Sequence, residues 1–312
     1  MREYSRRHFI VGSAAGALAL GSQGLLSKAM AAEEPPAMTI AKWTGPKELG
    51  KEELRQAAIK LTEKAIEGLG GLKRFVGQGS VVWVKPNIGW DRTPELAANT
   101  NPDVVATIVR LCFEAGAKKV RVGDNPCDMA AKSYPASGIP EAAKKEGAEV
   151  LFLDKSRFRE TKLPEGERVK SIPIFPAILE ADLVINVPVV KHHRMALATL
   201  CMKNYMGVME SRGTFHQAIA ECLVDLTRFM KPRLCILDAV RILKNNGPKG
   251  GNLKDVELTM TLAAGTDIVA LDAWGAEVMG KKPSEIRSIV KGAEAGLGKI
   301  DYKAIAKEIA VS

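Results

Sequence analysis

The chain is poor in aromatic residues, 5% of its 312 positions, and nowhere do they interleave with clusters of lysine and arginine. That shortage removes the stacking platforms of nucleic-acid-binding surfaces, so the net charge of +9 is not read as a nucleic-acid footprint. Cysteine is scarce too: Cys112, Cys127, Cys201, Cys222 and Cys235 are an odd number, widely spaced, with no C-x-x-C. Iron–sulfur clusters and zinc ribbons need such spacings, so neither is expected. Cys112, in a helical run, and Cys235, in a strand-like run, read as small buried hydrophobes. Nucleotide fingerprints are missing as well, because neither G-x-x-x-x-G-K-[ST] nor a helix-opening G-x-G-x-x-G occurs. No self-similarity appears at the roughly 20–50-residue periods of solenoids. Beyond Leu26 no run is long and apolar enough to span a membrane.

What the N-terminus does have is Ser5-Arg6-Arg7-His8-Phe9-Ile10, two adjacent arginines ahead of an Ala- and Gly-rich apolar stretch from Ile10 to Leu26. This is the twin-arginine export pattern. Lys28 and the small-x-small site Ala29-Met30-Ala31 follow, so residues 1–31 are read as a cleaved signal with no stable transmembrane anchor left behind. Residues 32–50, with Glu33-Glu34-Pro35-Pro36, read as a linker, and 51–312 as the folded domain. The expected location is periplasmic or extracytoplasmic, reached in the folded state through the twin-arginine translocon. Without the signal the positive surplus falls to a modest six charges, which suits a small anionic partner better than a polymer.

Helical spacing from Lys51 to Leu69 precedes an alternation of strands and helices. Ser80–Val84 reads as a buried strand, Pro102 to Ala115 as a helix, Lys119–Gly123 as the next strand, and Pro140 to Gly147 as a helix leading into a strand at Glu149–Leu153. A charged passage from Arg157 to Lys170 predicts an edge hairpin, and Ala181–Pro188 a further buried strand. Two helices, Ala196 to Met209 and Phe215 to Met230, a strand at Leu234–Asp238, another strand and a helix around Ile268–Met279 complete the pattern. The fold class is therefore α/β, mainly parallel sheet flanked by helices, in two intimate lobes with a cleft at the C-terminal ends of the strands.

In open parallel sheets ligands lie beyond those strand ends, and here the post-strand residues are polar. Lys85 and Asn87 follow the first strand, Asp124 and Asn125 the second, Lys191, His192, His193 and Arg194 a later one, and Asp238 closes another. Asn87, Asn125 and Asp238 serve equally well as turn or helix caps. Histidine occurs only four times, one of them in the signal, so the adjacent pair His192-His193 stands out. Neighbours in an extended segment point opposite ways, so at most one of the two faces the cleft directly and the other supports it or the loop. On the expected helix, Thr199, Lys203 and Gly207 share a face, while Met202, Met206 and Met209 form a core stripe. Lys203-Asn204 reaches the site, or Lys203 snorkels to the surface; an idle ammonium on a packed face is costly. The loop Asn245–Asn252 reads as a connection, with a lid carrying Lys249 as the alternative.

These residues together resemble the "domain of unknown function 362" family: Val84-Lys85-Pro86-Asn87, Gly123-Asp124-Asn125, Asn186-Val187-Pro188 with Lys191 and His193, Thr199 with Lys203-Asn204 and Gly207, and Ala270-Leu271-Asp272-Ala273 to Met279-Gly280. The resemblance covers roughly Val81 to Gly298. Many of that family's members add a ferredoxin-like module; its cysteine motifs are absent here, so the electron-transfer role does not carry over. A more distant similarity is to the lactate racemase family, whose nickel-pincer cofactor is held by a histidine and a lysine. His193 and Lys203 are ten apart, similar to that spacing, and His193 is the metal ligand this implies. Met195–Leu200 replaces that family's glycine-rich run, and Asp124-Asn125 stands where it has a histidine.

The expected function is an exported enzyme acting on a small anion, with a cofactor or metal acquired before export. His193 and Lys203 would be catalytic, His193 as acid and base. Lys85, Asn87, Asp124, Asn125, Lys191, His192, Asn204 and Asp238 would bind the substrate, Lys85 sharing the neutralisation of its charge with Lys203. The alternative is a non-catalytic periplasmic protein that captures an anion in the same cleft.

Overall fold

Parallel strands covered on both sides need apolar residues at nearly every position, and the Val-Val-Trp-Val run meets that need. In the computed structural model, which describes residues 35–46 and 48–312, Val82 and Val84 face one hydrophobic layer and Trp83 the other. The twin-arginine signal expected at 1–31 lies outside the described residues.

The chain enters with β1 (Met38–Trp43) and α1 (Lys51–Gly68), whose Leu54, Leu61 and Ile66 fall on one buried face at helical spacing. Next come β2 (Val81–Pro86), α2 (Pro102–Glu114) and β3 (Lys119–Val122). The start of α2 is set by Asn101, whose side chain accepts the Asp103 N–H at 2.9 Å, and by Pro102, which needs no amide partner in a first turn. Two short helices, α3 (Ala130–Ser137) and α4 (Ile139–Lys145), meet at Gly138 and lead to the two-residue strand β4 (Glu149–Val150). β5 (Arg159–Lys162) and β6 (Ser171–Ile174) do form a hairpin, but it is a separate two-stranded sheet and not an edge of the main one.

After the short α5 (Pro176–Leu179), β7 (Leu183–Val187) passes Pro188 into β8 (Val189–His193), which turns back as β9 (Leu197–Thr199). The single helix expected from Ala196 to Met209 is thus overturned. β8 and β9 pair antiparallel, Lys191 opposite Thr199 and His193 opposite Leu197. Helix α6 is confined to Cys201–Asn204, and a 3-10 turn carries Tyr205–Val208. The cause is tertiary: the Asp272 carboxylate accepts the N–H groups of Cys201 at 2.6 Å and Met202 at 3.1 Å, so the helix begins there.

The remainder is α7 (Ile219–Met230), β10 (Leu234–Leu243), β11 (Val256–Gly265), α8 (Ile268–Val278), α9 (Arg287–Glu294) and β12 (Ala306–Val311). The main sheet runs β12-β1-β11-β10-β7-β2-β3-β4, with β8 joined to β10 and β9 to β8. It is mostly parallel; only the β1–β11, β10–β11 and β8–β9 pairs are antiparallel. Residues of α1, α2 and α4 cover one face, and those of α7, α8 and α9 the other. Residues 35–312 form one compact unit, with two layers on a single sheet in place of the two lobes expected, and the stretch 32–50 expected as a linker contributes β1 to that sheet. Among the described residues no helix is long and apolar enough to cross a membrane.

Candidate functional site

The registers Val84↔Val122 and Lys85↔Asn186 bring the C-terminal ends of β2, β3 and β7 to one level. The residues leaving those strands line a cleft of about 420 Å³, part of it open to solvent, together with residues from β8, α6, the 3-10 turn and the loop at Pro248.

Lys85 is the floor. Its Nζ lies 2.7 Å from Asp124 Oδ1 and donates to Pro86 O at 2.8 Å and Asn204 Oδ1 at 3.1 Å, so all three ammonium hydrogens are used. Burial holds this ammonium below its ordinary pKa, and the Asp124 charge opposes that. Asp124 also accepts the Ile88 N–H at 2.7 Å and the Asn125 N–H at 3.0 Å, which ties together the loops after β2 and β3. Gly207 packs against the pair so closely that a Cβ there would lie 1.8 Å from Asp124 Oδ1 and 2.6 Å from Lys85 Nζ. The position therefore demands glycine.

Asn204 is the hub above the floor. Its Oδ1 accepts from Lys85 Nζ and, at 2.9 Å, from Asn87 Nδ2; its Nδ2 donates to Lys85 O at 3.2 Å and Asn186 Oδ1 at 2.9 Å. Asn87 Oδ1 in turn accepts from Lys191 Nζ at 2.8 Å, and Lys191 also donates to Ala98 O. Two lysines are thereby held in place through two amides. Asn125 serves a different purpose: its Nδ2 donates to Met209 O at 2.7 Å and Glu210 O at 3.2 Å, pinning the segment after the 3-10 turn.

Three cations on the walls have no carboxylate partner among the described residues: Lys191, Lys203 and Arg212. Burial lowers the Lys191 pKa to about 7, with the Lys203 and Lys85 charges contributing to the fall. Burial likewise brings Lys203 to about 8, aided by Arg212 and Lys85. Among the described residues the Lys203 Nζ has a single weak hydrogen-bond partner, Met206 Sδ at 3.6 Å. Arg212 donates to Met206 O at 3.2 Å, to Asn125 O, and to Cys127 Sγ at 3.0 Å. Four cationic side chains thus face the one carboxylate of Asp124 across a small cleft. An anion placed among them would restore the charge that burial suppresses.

His193 faces this cleft and His192 does not, as the alternation of an extended strand requires. The His193 Nδ1 accepts the N–H groups of Met195 and Ala196, both at 3.2 Å. Burial first, then the Lys203 and Lys191 charges, push its pKa down to about 3. The ring is therefore neutral near pH 7, with its one proton on Nε2, and it is a hydrogen-bond donor where an acid–base shuttle was expected. A metal-ligating histidine donates from its non-ligating nitrogen; here that nitrogen accepts, and the walls are cationic. His193 and its surroundings do not fit a nickel-pincer cofactor.

His192 accepts the Gly247 N–H at 3.1 Å on Nδ1 and anchors the loop that brings Pro248 to the cleft. Lys249, in the same loop, pairs with Asp128 at 2.9 Å. Asp238, expected among the binding residues, is a correction. It is buried away from the cleft and accepts the N–H groups of Asn101 at 2.8 Å and Val240 at 3.0 Å, so it caps the approach to α2. Burial raises its pKa to about 6.

The sequence reading did not place Arg212, Cys127, Trp90 or Pro248 at the cleft, though all four line it. Cys127 was within reach, since it lies two residues past Asn125 in the same post-strand segment. Arg212 was not, because it enters only through the return of the chain after the 3-10 turn. All five cysteines are free, Cys127 exposed and the others buried; burial pushes the Cys112 thiol up to about 12.

Fold and cleft define an α/β protein with a polycationic pocket at the carboxyl ends of its parallel strands. The sequence pattern of the family described as "Domain of unknown function (DUF362)" matches residues 82–277, so the chain belongs to that family. The matched stretch contains every cleft residue from Lys85 to Pro248. The chain is also similar to the thylakoid-associated protein sll1697 of Synechocystis sp. (strain ATCC 27184 / PCC 6803 / Kazusa), at 28% identity over 244 residues, 74% of this chain and 73% of that protein.

Proposed function

We propose that the protein is an enzyme acting on a small carboxylate- or phosphate-bearing molecule, exported by the twin-arginine route. The observation that carries the reading is the set of unpaired cations, Lys191, Lys203 and Arg212, on the walls of one small cleft. Lys191 and Arg212 hold the anionic group, Lys203 supplies the reacting amine, and the His193 Nε2–H steadies negative charge that develops on a neighbouring oxygen. Lys85 and Asp124 act beneath them as a fixed support. A mere capture protein has no need of an amine left without an oxygen acceptor beside the bound anion, so Lys203 favours catalysis over storage.

The test is a panel of small carboxylates and phosphates screened by thermal shift, followed by proton NMR of each stabilising compound in deuterium oxide. The expected outcome is raised melting of the wild-type protein and exchange or conversion at carbon next to the acid group. Stabilisation with no chemical change would leave only an anion-capture protein, and no stabilisation would remove the site. The export reading rests on Ser5–Ile10. Arg6→Lys with Arg7→Lys is expected to hold the protein inside the cytoplasm in cell fractionation, and unchanged export of that variant would overturn it.

A further inference from the structure

Lys203 differs from the other two cleft lysines in what surrounds its nitrogen. Lys85 gives its hydrogens to a carboxylate, an amide and a backbone carbonyl, and Lys191 gives two of its own to an amide and a backbone carbonyl. These acceptors keep both nitrogens engaged as donors. Among the described residues Lys203 Nζ meets only a thioether sulfur, at 3.6 Å. Burial opposes its protonation, as do the charges of Arg212 and Lys85; Cys127 favours it, and no carboxylate among the described residues joins Cys127. A half-buried amine in that setting gives up its extra proton more readily than an exposed lysine does, and its neutral fraction is a nucleophile toward carbonyl carbon.

Resting on the anion-binding reading above, we infer that the substrate carries a carbonyl group beside its acid group, and that Lys203 captures it as an imine. The acid group is held by Lys191 and Arg212, which line the same cleft. The Lys203 nitrogen adds to the carbonyl carbon, and the C=O pair moves onto oxygen. Both hydrogens of the neutral amine then leave with that oxygen as one water molecule, and a C=N bond takes the place of C=O. Nothing is oxidised or reduced. The His193 Nε2–H is the wall's donor for the departing oxygen, its Nδ1 being committed to the Met195 and Ala196 amides.

The experiment uses the full chain with pyruvate as the probe and sodium cyanoborohydride as the trap, followed by peptide mapping by mass spectrometry. Propionate, which has the acid group without the carbonyl, serves as competitor and as thermal-shift ligand. The expected result is a single reduced adduct on Lys203, diminished by propionate and absent from a Lys203→Arg variant. Should that variant fail to fold, the wild-type map alone assigns the labelled residue. An adduct on Lys191, or spread evenly over exposed lysines, overturns the inference. So does the absence of any adduct while propionate still raises the melting temperature, a result that leaves the anion cleft standing. No adduct and no stabilisation by either acid removes the cleft reading as well.

Discussion

Lys85 Nζ lies 2.7 Å from Asp124 Oδ1, and the two side chains are 0% and 3% exposed. Breaking such a pair by deleting one partner strands a charge in the interior, at a cost of about 3–5 kcal/mol. Asp124→Ala also orphans the Ile88 amide, while the Asn125 amide keeps Gly207 O at 3.0 Å. Urea denaturation is therefore expected to show a loss at the upper end of that range, while Lys85→Met combined with Asp124→Leu recovers part of it. A loss under about 1 kcal/mol for Asp124→Ala would show that the pair is not structural.

Gly207→Ala tests the close approach above that pair. A methyl group placed 1.8 Å from the Asp124 oxygen cannot be accommodated without displacing the pair or the 3-10 turn. Overpacking of this kind costs about 1–3 kcal/mol, and the variant is expected to lose stabilisation by small acids. Wild-type melting with intact ligand response would contradict the packing described.

Anion affinity is expected to fall as pH rises through about 7 for Lys191 and about 8 for Lys203, where each amine sheds its charge. Below that window both are charged and affinity is flat. Calorimetric titration with propionate at about pH 6 and about pH 9 is expected to differ by roughly tenfold, the worth of one charged hydrogen bond. Unliganded stability runs the other way. Both pKa values lie below the ordinary 10.5, so the unfolded chain holds more protons between about 7 and 10.5, and this contribution to stability rises with pH there. Affinity unchanged across the window would remove the two lysines from the binding site.

Asp238→Ala separates a structural carboxylate from the cleft. It leaves the buried Asn101 and Val240 amides without an acceptor, at about 1–3 kcal/mol, yet the shift produced by a saturating small acid is expected to match that of wild type. A variant of normal stability that no longer responds to acids would put Asp238 back among the binding residues.

Local sequence carried much of the architecture. The Val-Val-Trp-Val run, the helical spacing of α1 and the Asn101-Pro102 start of α2 are short-range signals, and each appears at the place its periodicity or capping chemistry indicates. The rule that ligands gather past parallel strands was also enough to pick out Lys85, Asn87, Asp124, Asn125, Lys191 and His193, all of which line one cleft. Thr199, Lys203 and Gly207 also meet there, although the helix face that suggested them does not exist.

What sequence could not decide was anything set by a partner distant along the chain. Asp272, 71 residues away, makes α6 begin at Cys201 and leaves Leu197–Thr199 free to pair with β8. Asp238 reads like its post-strand neighbours, yet two amides take it out of the cleft. The states of the lysines and of His193 follow from burial and from charges that meet only in the folded chain. Periodicity and capping act over a few residues, whereas desolvation and charge pairing depend on neighbours that only tertiary packing supplies.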